Sequence, residues 1–308
     1  MDYTSEFIEH GYSELGSIIP QAYCAKILNT VHDTRKFDSS LFFDEAEFER
    51  LNPDAFNKNP RPGSNVLEHF PEELNVVERN EQLVDLLTKL LGPHYNIFRK
   101  KLVCGMPERK LPKWILDRIS GMPSNNLAHF VKPEFTDITY FYGIDFHQDI
   151  VDWKDRRSDF LTVYVYLDEV GETDAPLFVV PDSQLLGANC FPHDLEPLNT
   201  NNSLWRYRSD DGKSLEVCHH VMTGGAGHVA CWHPLMLHGT GPDLSDHPRL
   251  SLRYLIERDP DGGPYGIDIA NDLINGPLET PEPRKDLDRR GLAVVQNNHL
   301  YELSRTTH

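Results

Sequence analysis

Phe146-His147-Gln148-Asp149 sets an imidazole and a carboxylate two residues apart. At a strand end or turn, both side chains of a His-x-Asp can reach one metal ion. They leave that ion short of ligands, and a distant His completes a facial set with open positions. This arrangement suits non-haem Fe(II) working with oxygen and a co-substrate. The pair is weak evidence alone, because 15 His and 48 acidic residues give about two His-x-acid matches by chance.

A second feature strengthens it. His238-Gly239-Thr240-Gly241-Pro242 follows the apolar run Val229-Ala230-Cys231-Trp232 and precedes Arg249-Leu250-Ser251-Leu252-Arg253-Tyr254-Leu255-Ile256. On a strand Arg249, Ser251 and Arg253 share one face, while Leu250, Leu252, Tyr254 and Ile256 share the other. A guanidinium on an inward face needs an anionic partner. A dicarboxylate co-substrate supplies one, because the Arg fork matches a carboxylate and a Ser hydroxyl adds a donor.

The order His147-x-Asp149, then His238, then Arg249 resembles the phytanoyl-CoA dioxygenase family over roughly residues 80–257. The resemblance extends to the strand Phe160–Leu167 and to Ala175-Pro176-Leu177-Phe178-Val179-Val180-Pro181-Asp182-Ser183-Gln184. There Asp182 stands for the family's usual Gly and Gln184 for its usual His. The resemblance implies a double-stranded β-helix that binds Fe(II) and uses 2-oxoglutarate and O2 as co-substrates. It makes His147, Asp149 and His238 the metal ligands. Arg249 would hold the distal carboxylate of 2-oxoglutarate, assisted by Ser251 and Thr162. Relatives that halogenate replace the Asp ligand, so Asp149 favours hydroxylation.

Other residues are candidates for substrate. Arg156 and Arg157 lie in a polar segment after the motif and offer a carboxylate partner near the barrel mouth; Trp153 beside them offers an aromatic face. Tyr142 shares a strand face with Tyr140 ahead of the motif, and Arg253 can join Arg249. One of Lys100 and Lys101 is placed to face the pocket. His228, His233 and His238 follow one another at intervals of five, which alternate faces on a strand, so His228 and His233 read as structural or strand-edge residues, and His219-His220 as exposed at a strand start. The five cysteines form no C-x-x-C and read as small core residues of a reducing compartment.

The elements that must position these groups are short. Strands are predicted near Tyr95–Cys104, Asp137–Phe146, Phe160–Leu167, Leu177–Val180, Glu216–Met222, Gly227–Trp232 and Leu250–Glu257. A helix is expected from Pro20 to Asn29. A stronger one runs from Asn80, its cap, to Leu91, with leucines at 83, 86, 87, 90 and 91 and Gly92-Pro93 as its stop. Residues 199–213 read as a polar loop, and a short helix is expected near Arg284–Arg290. Many short strands without long intervening helices suggest a barrel or jelly roll, and with the resemblance the expected fold class is mainly β with flanking helices around a jelly-roll, cupin-like double-stranded β-helix. The expected organisation is one oxygenase domain over 1–308: helical support over 1–94, the β core over 95–258 and a C-terminal extension over 259–308 that would serve as lid or surface wrap.

The 308 residues carry 30 Lys plus Arg against 48 Asp plus Glu, a formal charge of −18, which argues against nucleic acid and anionic membranes as partners. No signal peptide or membrane span is visible, so a cytoplasmic enzyme acting on a small molecule is expected, with its oligomeric state left open. Two other readings remain: an isomerase or hydrolase using the metal without the Arg249–Ser251 clamp, and a non-catalytic binding barrel.

Overall fold

The computed structural model describes residues 2–51, 59–200, 203–280 and 284–286. Its strands are β1 (Tyr12–Ser17), β2 (Asn96–Gly105), β3 (Ser124–Asn126), β4 (Thr139–His147), β5 (Phe160–Tyr166), β6 (Leu177–Val180), β7 (Asp194–Pro197), β8 (Leu204–Arg208), β9 (Ser214–Cys218), β10 (His220–Met222), β11 (His228–Trp232), β12 (Leu237–Thr240) and β13 (Arg249–Glu257). The helices are α1 (Tyr3–His10), α2 (Gln21–Thr34), α3 (Glu45–Arg50), α4 (Pro71–Glu78), α5 (Glu81–Leu91), α6 (Lys113–Ile119) and α7 (Gly266–Asp272).

One sheet runs β1-β11-β5-β13-β2-β4-β12-β6-β10, with β3 beside β4 and only the β2–β4 pair parallel. It curls until its two ends meet: Glu14 on β1 accepts a hydrogen bond from His220 Nε2 on β10 at 2.6 Å. The result is the double-stranded β-helix that the family resemblance implies, with helices flanking it.

The curl separates two faces. Every residue of β5 is buried. Leu161, Val163 and Val165 face the helices, while Tyr164 and Tyr166 face the interior. β13 obeys the same alternation, sending Leu250, Leu252, Tyr254 and Ile256 into the helix-covered core. There they share one cluster with Leu83, Leu86, Leu87, Leu90 and Leu91 of α5. Each such leucine contributes about 2 kcal/mol by burial. Asn80 caps α5 by accepting from Gln82 N and Leu83 N at 3.1 and 3.2 Å, and Gly92 ends it at φ +93°.

Several expectations need correction. Residues 199–213 are not simply a loop: β8 buries Trp205 and Tyr207, and its alternate Arg206 and Arg208 pair with Glu216 and Glu196 outside. The polar composition hid a period of two. The single strand expected over Glu216–Met222 is split, with β9 joining the small sheet β7-β8-β9 and β10 the main one. The helical N-terminal region also contributes β1 to the main sheet, and α2 runs on to Thr34. Asp182 adopts φ +67°, the left-handed conformation that a glycine takes most easily, so the replaced family glycine marks a real backbone demand. After α7, backbone hydrogen bonds from Asp155, Ser158 and Ala188 reach Thr280, Leu278 and Pro277. They lay this segment along the loop that follows Asp149 and the loop that follows β6. The helix expected near Arg284–Arg290 falls mostly outside the described residues.

Candidate active site

His147 ends β4, and Asp149 opens the turn that follows. His238 lies on β12, directly opposite His147 in the ladder, so ring centroids stand 4.2 Å apart. One ligand atom from each of His147, Asp149 and His238 falls within 4.8 Å of the others, and among the described residues no other group of His, Cys, Asp or Glu converges in this way. Each imidazole spends Nδ1 on a carbonyl two residues back in its own chain. His147 donates to Asp145 O at 3.0 Å and His238 to Met236 O at 3.1 Å. That fixes the tautomer and leaves Nε2 with a lone pair, as a metal-ligating histidine requires. Burial, with His238 beside it, holds His147 well below its usual range, hence neutral.

Asp149 is 1% exposed and fully engaged. Its Oδ2 accepts from Thr162 Oγ1 at 2.5 Å and Trp232 Nε1 at 2.9 Å. Its Oδ1 contacts Arg253 and lies 3.5 Å from His238 Nε2. Burial pushes this carboxyl up, but the Arg253 guanidinium overrides that and holds it well below the usual carboxylate range. A permanently ionised carboxylate and two imidazoles with fixed Nε2 lone pairs fit a divalent iron.

The co-substrate side is equally specific. Arg249 is buried and donates to Tyr164 OH at 3.3 Å, yet its Nε has no hydrogen-bond partner; Ser251 Oγ is also buried and unpartnered. Gly105 stands opposite Arg249 in the ladder, and a Cβ there would sit 3.2 Å from Arg249 Nε. The glycine keeps room beside the guanidinium. Orphaned buried donors are costly, and an acidic ligand satisfies them.

The other expected residues divide. Thr162 faces the site but donates to Asp149 rather than standing free for the co-substrate. Arg253 also sits on Asp149. Tyr142 faces the helix-side core, where its hydroxyl donates to Glu108 Oε2 at 2.5 Å. Trp153 packs edge-on against Phe98 and Phe160. Arg156 stacks over the same rings, 4.1 Å from the Phe98 centroid, and pairs with Glu257 at 3.1 Å. Both are engaged by these rings, and neither lines the cavity that holds His147 and His238. Arg157 is exposed and lines none of the cavity. Of the two lysines, Lys100 pairs with Glu78 and Lys101 faces the cavity, where burial and the charge of Arg253 push its ammonium down to about 7. His228 bonds Glu14 and His233 bonds Asn271, so both are structural. The sequence reading missed Trp232 as a partner of Asp149, although its alternation with Ala230 marks it as inward-facing.

The model of the phytanoyl-CoA dioxygenase (PhyH) family matches residues 7–251. The chain belongs to this family. The PhyH-family chain is 24% identical over 255 residues to a protein of Stutzerimonas stutzeri described as a probable alpha-ketoglutarate-dependent hypophosphite dioxygenase, covering 82% of this chain and 75% of that one. Similar solved structures include the non-heme alpha-ketoglutarate-dependent carbocyclase SnoK, with TM-score 0.49, 12% identity and 83% of each chain covered. The epimerase SnoN, in complex with Fe3+, alpha-ketoglutarate and nogalamycin RO, aligns with TM-score 0.48, 17% identity and 91% and 93% coverage. The PhyH-family chain is an Fe(II)- and 2-oxoglutarate-dependent oxygenase. None of its described helices is long and apolar enough to cross a membrane.

Proposed function

We propose that this oxygenase hydroxylates an unactivated C–H bond of a small polar metabolite, an amino-acid-like compound or natural-product intermediate. One O2 and one 2-oxoglutarate are consumed, and one oxygen atom enters the substrate while the other enters succinate with loss of CO2. The observation that carries the reading is the pair of buried, unpartnered donors on Arg249 and Ser251 beside a convergent His147–Asp149–His238 set. An isomerase or hydrolase has no use for that clamp.

His147, Asp149 and His238 would hold the iron, and Arg249 and Ser251 the distal carboxylate of 2-oxoglutarate. When bound, the iron would activate O2, the oxidant, with the keto acid giving up two electrons as it is decarboxylated to succinate. The chain supplies geometry. Thr162 and Trp232 fix Asp149, the two backbone carbonyls fix the imidazoles, and Val103, Phe141, Ile144 and Leu177 wall the cavity against water. Asp149 itself disfavours halogenation, which needs that position vacant.

Anaerobic titration of the protein with Fe(II) and then 2-oxoglutarate tests the reading without a substrate. A saturable visible charge-transfer band, lost in Asp149→Ala and weakened in Arg249→Ala, is expected. Iron binding with no band overturns the co-substrate clamp.

A further inference from the structure

We infer that the substrate bears an oxyanion, a carboxylate or a phosphorus oxyanion, and that Lys101 and Arg253 form its receptor. The inference rests on the co-substrate assignment just given and names the substrate class of the same site.

Lys101 on β2 and Arg253 on β13 are direct cross-strand partners, and both line the cavity that holds His147, His238 and Arg249. Like charges directly opposite on a sheet destabilise it. Such a pair facing a cavity makes sense when an anion comes between them. Asp149 touches Arg253 but is the carboxylate of the metal set, so its charge is committed.

The charge balance points the same way. The cavity presents the guanidinium cations of Arg249 and Arg253, with the Lys101 amine beside them, against the Asp149 carboxylate. Iron(II) brings two positive charges and 2-oxoglutarate two negative, which cancel. One fixed positive charge and the Lys101 amine are left over, in a protein whose formal net charge is −18. A general cationic surface cannot explain them.

The space is also suited. Lys101 lies at the junction of this cavity with a cleft of about 350 Å³, which Arg99 and Asp152 also line. Thr139 lines the cleft and has a buried, unpartnered Oγ1. A cleft of this size takes a small molecule. Its acidic end would pass Lys101 toward Arg253, which touches the carboxylate of the metal set. The polar side chains expected to do this, Arg156 and Arg157, are stacked away or exposed.

The test uses the anaerobic Fe(II)–2-oxoglutarate protein. Short-chain carboxylates, methylphosphonate and phosphite are added, each against its neutral ester or amide, and the visible band is followed. With oxygen, succinate release is measured. Anions should shift the band saturably and accelerate succinate release, and neutral analogues should do neither. The carboxylate and phosphorus arms separate the two oxyanion sources. Lys101→Met should raise the anion's half-saturation about 10-fold or more and leave that of 2-oxoglutarate within about 2-fold. Arg253→Lys should retain most of the response that Arg253→Met loses. Three results would overturn the inference: a band that no anion shifts, equal response to neutral analogues, or a Lys101→Met defect confined to 2-oxoglutarate. A wild-type protein that forms no band at all defeats the underlying assignment instead. Arg253→Met that weakens iron binding but not the anion response reduces Arg253 to a positioning residue and also overturns the receptor.

Discussion

Glu14 and Asp149 each face two imidazoles inside the same barrel, at different places along its seam. Glu14 accepts from His220 Nε2 at 2.6 Å on one oxygen and from His228 Nε2 at 2.9 Å on the other. Its histidines spend their outer nitrogens on separate oxygens, so the cluster is internally satisfied. Around Asp149 the histidines spend Nδ1 on their own backbone carbonyls, and the Nε2 atoms converge. The carboxylate there is held by Thr162 and Trp232 on one oxygen and turned toward the Arg253 guanidinium on the other. The residue types are nearly the same. Which ring nitrogen the backbone captures decides whether they make a clamp or a metal centre.

The largest test of this contrast removes each carboxylate. Asp149→Ala or His238→Ala should lower turnover at least about 10³-fold, some 4 kcal/mol of lost stabilisation, with iron binding lost in equilibrium dialysis. Glu14→Gln should leave turnover near wild type. If Glu14→Gln also abolishes iron binding, the two clusters are not functionally separate. Next in size is Arg249→Ala. It should raise the 2-oxoglutarate half-saturation about 30-fold or more while iron affinity stays within a few-fold, measured by band intensity against ligand. A smaller effect is expected from Trp232→Phe, which keeps the packing but deletes one donor to Asp149. Iron should bind about 10-fold more weakly, and an unchanged affinity would show that Thr162 alone suffices.

The smallest effect is on stability. Burial pushes Glu14 up, but hydrogen bonds from His220 and His228 override it and bring the carboxyl down to about 2. A depressed acid contributes stability above its unfolded value of 4.5 and loses it as pH falls toward 2. The hydrogen bond to Glu14 raises His220 above its ordinary 6.5, so its contribution is complete below 6.5 and fades as pH rises through the raised value. The clamp is therefore strongest between about pH 4.5 and 6.5. Urea unfolding of Glu14→Gln should show a deficit of about 1–2 kcal/mol there, shrinking toward pH 2–3. A deficit that is flat with pH would mean that packing, rather than the ion pairs, is lost.

Much of the metal centre could be read from the chain because it depends on local geometry. His-x-Asp at a strand end, the alternation of Arg249, Ser251 and Arg253, and the leucine spacing of α5 all follow from backbone periods. Tyr142 was misplaced although it lies an odd number of residues from His147, which already sends it to the opposite face. Trp153 and Arg156 were misassigned for another reason. Their partners Phe98, Phe160 and Glu257 come from distant segments, and nothing within the loop announces them. The strand β12 was also invisible, since Leu-His-Gly-Thr has little strand character and forms a ladder only because β4 and β6 flank it.

The Glu14–His220 tie has one more consequence, for how copies of this chain treat each other. β1 and β10 end the main sheet, so each has a backbone edge with no ladder partner in it. Rows of unpaired N–H and C=O groups invite strands from other molecules. The tie draws the two edges together, and β10, at three residues, offers little to pair with. Protonating Glu14 releases both edges at once. The first visible sign of acid stress should then be self-association, seen as light scattering before the helix signal falls, and Glu14→Gln should bring its onset to milder pH.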